Sequence, residues 1–258
     1  MAKRRHSNRR RRRGSFGFLY KLLSILVICV AIVLALTLFF RVETIQVSGQ
    51  QRYTDDQVRE ASGIQTGDNL VLLNKYDAAG SIVDSLPYIE DTRINRKLPS
   101  TLIIEVTECG RPLAVVQDGY AWLISSRGKI VDQLDVAAAA DSAVISGCQL
   151  LSPSVGTKLA LATDFSTQQS SLLELLTALE AAGMMDQVDG IRLDDLSAIY
   201  MDYDGRFTVK MPYSADYAQK MKILQMALES EYVQDNMTGT FNMMREDGKT
   251  YLEQNVRE

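Results

Sequence analysis

The longest regularity in the chain is an uninterrupted apolar run. Residues 22–40, LLSILVICVAIVLALTLFF, carry no charge. At ~1.5 Å per residue that helix is about 28 Å long, close to the ~30 Å hydrocarbon core of a bilayer, and it predicts one membrane span. Shorter periods follow at once, with no linker. In VETIQVSG (residues 42–49), Ile45 and Val47 alternate with Thr44 and Gln46 and Ser48-Gly49 closes the run, which predicts a strand. YTDDQVREASG predicts a short helix: Thr54 and Gln57 fit a capping box, Asp55 and Asp56 suit the positive helix end, and Val58 and Ala61 form the apolar face before Gly63. After an apolar cluster at residues 70–73, Ala79, Ile82, Val83 and Leu86 give a second helix over about 75–86, closed by Pro87.

SLPYIEDTRINRKLPSTLIIEVTE (residues 85–108) then reads as two strands with a turn at Pro99-Ser100. In the second, Leu102, Ile104 and Val106 point one way and Thr101, Ile103, Glu105 and Thr107 the other. Strand, helix, helix, strand, strand predicts a small unit with both helices on one face of a three-stranded sheet.

The texture changes after Pro112. LAVVQDGYAWLISSRGKIVDQL is β-rich, with turns at Asp118-Gly119 and Arg127-Gly128. One strand is expected near 143–145. Amphipathic helices are expected at 166–182 (Leu172, Leu173, Leu175, Leu176 and Leu179 inward) and 215–231 (Ala218, Met221, Leu224 and Leu228 inward). Strands are expected between them at 188–193, 197–203 and 206–211, the last two joined at Asp204-Gly205. GTFNMMREDGKTYLEQ predicts a final hairpin turned at Asp247-Gly248. The fold class is therefore α+β: an N-terminal transmembrane helix, a small β-α-α-β-β unit, then a mixed β-rich domain with two helices.

Charge changes the picture at the N-terminus. Nine of the 28 basic residues and none of the 32 acidic ones fall in residues 1–21, so the remainder carries 19 basic against 32 acidic groups. A basic block before a single span predicts a cytoplasmic tail and an exported, acidic bulk. The run is longer than a cleaved signal's apolar core and ends without an A-x-A pattern, so retention as an anchor is expected. Beside a span, topology and attraction to anionic lipid account for KRRHSNRRRRR more simply than nucleic-acid binding does.

Candidate chemistry is sparse. The one histidine, His6, lies in the basic tail, which removes Ser-His-Asp, Cys-His and zinc-histidine sites from the exported part. No phosphate-binding glycine motif is present. Cys29 lies in the span; spacing alone leaves Cys109 and Cys148 open to pairing or to being two small half-buried residues. Paired carboxylates suffice for a glycan hydrolase, and the candidates are Asp194-Asp195, Asp202, Asp204 and Glu246-Asp247. All lie at strand ends or turns, where Asp is favoured for backbone reasons. Arg93, Arg96 and Lys97 form a basic trio, read either as a solvated strand face or as a docking surface for an acidic partner or lipid headgroups. Trp122, on a strand, is expected in the core.

Two stretches carry a family resemblance. VETIQVSGQQRYTDDQVREASGIQTGDNL fits an I-x-V-x-G strand, a short helix and S-G-I-x-x-G-x-N-L. LPYIEDTRINRKLPSTLIIEVTE fits L-P-[YW]-[IV]…R-x-x-P-x-[ST]-L-x-I-x-V-x-E. With the basic tail and single span, they resemble the FtsQ/DivIB cell-division proteins. The resemblance implies a tail at 1–21, a span at 22–40, a POTRA-type domain at 42–110 and a β domain at 111–258. It departs from the family's frequent E-R-x-P junction, where this chain has Glu108-Cys109-Gly110-Arg111-Pro112. The resemblance further implies a non-enzymatic division protein without cofactor, membrane-anchored at the septum. Its partners would be single-pass proteins of FtsB/DivIC and FtsL type, and its role to position and regulate peptidoglycan synthesis. The family's partner contact lies on the last strands, by strand addition to an open edge. That region here is 240–252, with Met244, Arg245, Asp247, Gly248, Tyr251 and Leu252 as the candidate contact residues.

Overall fold

A computed structural model describes residues 16–234, 236–245 and 250–254. Most of the basic tail with His6, and the turn residues Glu246, Asp247 and Gly248, lie outside the described residues. The apolar run forms helix α1 (Phe16–Phe39), which begins at Phe16 rather than at residue 22 and includes Lys21. Lys21 joins it because a long alkyl stem lets a lysine lie along an apolar helix end with its ammonium in water. The membrane-length apolar stretch is Gly17–Thr37, with no part buried against the rest of the protein. Among the described residues, α1 is the one helix long and apolar enough to cross a membrane.

Beyond α1 come β1 (Thr44–Ser48), α2 (Asp55–Ser62), α3 (Lys75–Ser85), β2 (Ile89–Lys97) and β3 (Thr101–Glu108). They form a three-stranded sheet in the order β1-β3-β2, β1 parallel and β2 antiparallel to β3. The capping box is present: the Gln57 N–H donates to Thr54 Oγ1 at 3.3 Å, and the Thr54 N–H donates to Gln57 Oε1 at 2.9 Å. Gly63 ends α2 in the left-handed region, at φ 67°. Leu102, Ile104 and Val106 of β3 are buried under α2 and α3 together with Val58 and Ile82, as their alternation predicts. On α3 the most buried alanine is Ala78, with Ala79 at the margin. Gly49 closes β1 at φ 94°, where a Cβ would run into the Val106 carbonyl, so the glycine of I-x-V-x-G is set by close backbone approach.

The remaining elements are β4 (Leu113–Gln117), β5 (Tyr120–Ile124), β6 (Ile130–Asp135), β7 (Val144–Ser146), α4 (Ser166–Ala181), β8 (Val188–Arg192), β9 (Ala198–Tyr203), β10 (Phe207–Pro212), α5 (Tyr217–Leu228), β11 (Gly239–Asn242) and β12 (Tyr251–Gln254). They build a nine-stranded mixed sheet in the order β12-β11-β10-β9-β8-β7-β4-β5-β6. Short β7 lies inside the sheet, parallel to both β4 and β8.

Helices α4 and α5 cover one face. Leu172, Leu175, Leu176 and Leu179 of α4 are fully buried there with Met221 and Leu224 of α5, each burial being worth roughly 1.5–3 kcal/mol. Three expectations are corrected. Ala218 is exposed and Tyr217 takes the inward position, because 217, 221, 224 and 228 share one face at helical spacing and 218 does not. Leu173 and Trp122 lie at the margin of this core rather than inside it.

The first unit packs on the opposite face of the large sheet, at its β4-β5-β6 end. Tyr88 is buried there with Ala114, Ala121, Leu123 and Val131. Its hydroxyl donates to Asp132 at 2.8 Å, and the Arg52 guanidinium lies 3.9 Å from its ring centroid. Burial and the Asp132 carboxylate push the Tyr88 phenol above its usual range. Glu108 accepts from the Arg52 and Tyr53 N–H groups at 2.9 and 3.3 Å. The displaced Arg111 turns to the large sheet and donates to the Asp186 carbonyl at 2.7 Å and the Asp141 carbonyl at 3.3 Å.

Candidate functional site

The last two strands build the far end of the large sheet. β11 runs parallel to β10, pairing Phe207 with Gly239 and Lys210 with Asn242. β12 returns antiparallel to β11, with Phe241 opposite Leu252 and Asn242 opposite Tyr251. The expected terminal hairpin is present, with residues 243–250 between its strands. Phe241, 1% exposed, anchors it by a tilted ring contact with Phe207 at 5.0 Å between centroids. Leu252 packs at the margin of the same core, whereas Tyr251 faces the other side and is 49% exposed. Alternation along β12 thus separates an anchoring side chain from a presented one.

The segment after β11 is tied to α5. The Met243 N–H donates to the Lys210 carbonyl at 2.8 Å. The Lys220 ammonium donates to the Met243 carbonyl at 2.6 Å and the Arg245 carbonyl at 3.4 Å. Met244 and Arg245 line a cleft of about 340 Å³ together with Tyr213, Asp216 and Ile223. Lys220 was not legible as part of this region: its identity says only "exposed helix lysine", and the fold alone brings it to a segment more than twenty positions away. The structure therefore brings Met244, Arg245, Tyr251 and Leu252 to one end of the sheet; Asp247 and Gly248 fall outside the described residues. Among the described residues, no strand pairs with the outer side of β12.

The basic trio is divided. Arg93 and Lys97 lie on one face of β2, opposite Glu105 and Thr101. Arg96 shares the helix-side face with Ile94, and its guanidinium donates to the Leu73 carbonyl. Arg93 lies 3.9 Å from the Asp91 carboxylate.

The acidic candidates hold local structure. Asp195 accepts from the Ser197 N–H at 2.8 Å, the Ser197 hydroxyl at 2.7 Å and the Tyr200 hydroxyl at 3.1 Å. The Ser197 bonds chiefly hold its carboxyl below the usual range. Asp202 accepts from Thr208 Oγ1 at 2.8 Å and from Arg192 at 3.3 Å. Asp204, in the left-handed region at the β9–β10 turn, accepts from Arg206 at 2.6 Å. Glu246 and Asp247 lie outside the described residues. Cys109 and Cys148 are free thiols, and burial pushes them up to about 12 and about 11.

An apolar helix of membrane-spanning length that leads without a linker into a β-α-α-β-β unit defines an N-terminally anchored POTRA protein, here followed by a mixed sheet whose last strand has no outer partner among the described residues. The family model described as "POTRA domain, FtsQ-type" matches residues 40–108. The chain is 29% identical over 162 residues to the cell division protein FtsQ of Corynebacterium glutamicum, covering 62% of this chain and 70% of that protein. It is 25% identical over 170 residues to FtsQ of Geotalea daltonii, covering 66% and 57%, and 31% identical over 112 residues to the cell division protein DivIB of Clostridium botulinum, covering 43% of each. The chain carries an FtsQ-type POTRA domain and is similar to the FtsQ/DivIB cell-division proteins. Its matches span less than two thirds of the Geotalea and Clostridium proteins.

Proposed function

We propose that the protein is a non-enzymatic scaffold of the division machinery that captures a partner strand on the outer edge of β12. The reading divides the chain into a POTRA domain over 42–110 and a β domain over 111–258. It places the N-terminus in the cytoplasm and the bulk outside, at the septum. The partners are single-pass division proteins of FtsB/DivIC and FtsL type, and the complex positions and regulates septal peptidoglycan synthesis. The observation that supports it is that, among the described residues, no strand pairs with the outer side of β12, in a chain similar to cell-division proteins. An extended segment added there gains main-chain hydrogen bonds, while Tyr251 and the cleft beside Met244 and Arg245 offer side-chain contacts.

The test is co-purification of the full chain with a tagged partner of FtsB/DivIC type. Truncation after Asn236 is expected to abolish capture, and Tyr251→Asp to weaken it by roughly 30-fold. Tyr251→Asp is expected to leave the melting temperature unchanged, since half of that side chain is in solvent. Capture undiminished by Tyr251→Asp would remove the site assignment. The full chain is expected to release no soluble fragments from purified peptidoglycan; release that is lost in Asp202→Asn would overturn the non-enzymatic reading.

A further inference from the structure

We infer that the POTRA unit is seated in the membrane surface through the loop at residues 69–73 and the β2–β3 turn, so that lipid covers their exposed apolar side chains. The Leu70 N–H donates to the Phe40 carbonyl, the Val42 N–H to the Asp68 carbonyl and the Gly67 N–H to the Val42 carbonyl, each at 2.8 Å. The chain leaving the span is thus paired immediately with residues 67–70. Asn69 reaches further back: its Nδ2 donates to the Thr37 carbonyl at 3.2 Å and the Leu36 carbonyl at 3.4 Å, in the last turn of α1. Carbonyls of a last helical turn run short of helical donors, and a side-chain amide supplies one. The same side chain accepts, through Oδ1, from the Val71 and Leu72 N–H groups at 2.9 Å each. One asparagine fixes this loop to the end of the apolar stretch Gly17–Thr37.

Depth follows from length. The 24 residues of α1 make a helix of about 36 Å, against ~30 Å of hydrocarbon and a headgroup layer of several ångströms on each side. Thr37 therefore lies near the hydrocarbon boundary, and a loop bonded to it lies among the headgroups. Leu72 is 74% exposed and Val71 44%; between them and the core, Leu70 is fully buried. In LVLL (residues 70–73) the periodicity of a folded core accounts for Leu70 and Leu73 and leaves two large apolar residues unused.

The β2–β3 turn reaches the same end. The Ser100 carbonyl accepts from the Glu43 N–H at 2.8 Å, four residues beyond the end of α1, so the turn lies within about 13 Å of that end even for extended chain. Leu98 there is 62% exposed. Basic groups flank the apolar ones along the chain, with Glu43 and Asp68 among them: Arg41, bridged to Asn69, Lys75 at the start of α3, and Lys97 beside Leu98. Apolar tips flanked by Arg and Lys match an interfacial anchor on an anionic leaflet. Lys97 is thereby assigned to lipid, leaving Arg93, farther along β2, outside this face.

The experiment uses the full chain reconstituted in vesicles. Trp122→Phe removes the only tryptophan, and Leu72→Trp or Leu98→Trp then reports each loop. Both reporters are expected to be quenched by lipids brominated near the acyl-chain carbonyl and shielded several-fold from aqueous iodide, with stronger bromine quenching when phosphatidylglycerol joins a zwitterionic bilayer. Iodide quenching of the Leu72→Trp variant to the extent of free tryptophan overturns the inference. Shielding from both quenchers also overturns it, by showing a protein contact in place of lipid. Quenching independent of phosphatidylglycerol removes the role of the basic groups. Melting of each variant like the parent confirms that the reporter site is intact, and a folded variant failing these outcomes counts against lipid seating.

Discussion

The two edges of the nine-stranded sheet are finished differently. At the β6 edge the chain closes on itself. The Ile130 N–H donates to the Thr157 carbonyl and the Gly156 N–H donates to the Ile130 carbonyl, both at 2.8 Å, so the outer side of β6 is partly occupied from its first residue. Residues 136–139 then fold back so that Ala139 joins the cluster under Tyr88, and the POTRA unit covers that end of the second face. At the β12 edge, none of this is present among the described residues. An open edge is a template for another strand and a liability if nothing uses it. On the proposed function the two roles are separate: the β6 end joins the protein's own units, and the β12 end is the one offered to a partner.

The largest effect should come from removing what holds the open edge to the core. Phe241→Ala in the full chain is expected to cost about 3–5 kcal/mol, because the ring is fully buried and leaves a cavity against Phe207. Thermal melting in detergent checks it, and loss of partner capture should accompany it. Gln133→Lys on exposed β6 should stay within ~0.5 kcal/mol and leave capture intact. If both variants lose capture equally, the contrast between the edges fails.

The next effect concerns presentation rather than folding. Tyr251→Asp is expected to weaken partner binding by about 2 kcal/mol, roughly 30-fold, as a half-exposed aromatic on a binding edge is a typical hot spot. A matching Gln133→Asp should change nothing. Smaller again is Lys220→Met, which removes the ammonium from the Met243 carbonyl. Part of that bond's value is screened, so about 1 kcal/mol of partner affinity, some fivefold, is expected to be lost with little change in melting. Titration of the partner onto immobilised protein measures both.

Much of this was legible because local rules and tertiary packing agree. The Thr54–Gln57 box, the Gly63 cap, the β3 alternation and the Leu stripe of α4 each stand where periodicity puts them. Three features went unread, two of them because only the fold decides them. The interior place of β7 is set by pairing with β4 and β8, which no property of Val144–Ser146 encodes. The inward turn of Tyr217 in place of Ala218 is a rotation of about 100° on α5, decided by what the helix meets. The division of Arg93 and Lys97 from Arg96 follows from strand alternation alone and was within reach, but three charges close in sequence read as one patch until their faces are separated. Of the candidate partner residues, the anchoring role of Leu252 came from its pairing with Phe241, and the support by Lys220 only from the fold.

The smallest effect tests the closed end. Cys109 sits at the junction, where the Tyr88 carbonyl accepts its N–H at 2.7 Å and the side chain packs beside the cluster under Tyr88. Burial, with the Glu90 carboxylate adding to it, pushes its thiol from 9.0 up to about 12. In the unfolded chain the thiol ionises above pH 9, whereas in the folded one it keeps its proton toward pH 12. Between those values the native state binds more protons, so this group's contribution is fully present below pH 9 and is lost as pH rises through the window. The thiolate is the reactive form, and a rise from 9.0 to about 12 lowers its fraction near pH 8 by about three orders of magnitude. Iodoacetamide should therefore label Cys109 far more slowly in the full chain than in urea, read by mass spectrometry of the peptide. Tyr88→Phe, which takes away the 2.8 Å bond to Asp132 at a cost of about 1 kcal/mol, should speed that labelling without altering partner capture at β12. Labelling as fast in the native chain as in urea would mean that the β4-β5-β6 end is open as well, and the two ends of the sheet would then no longer differ.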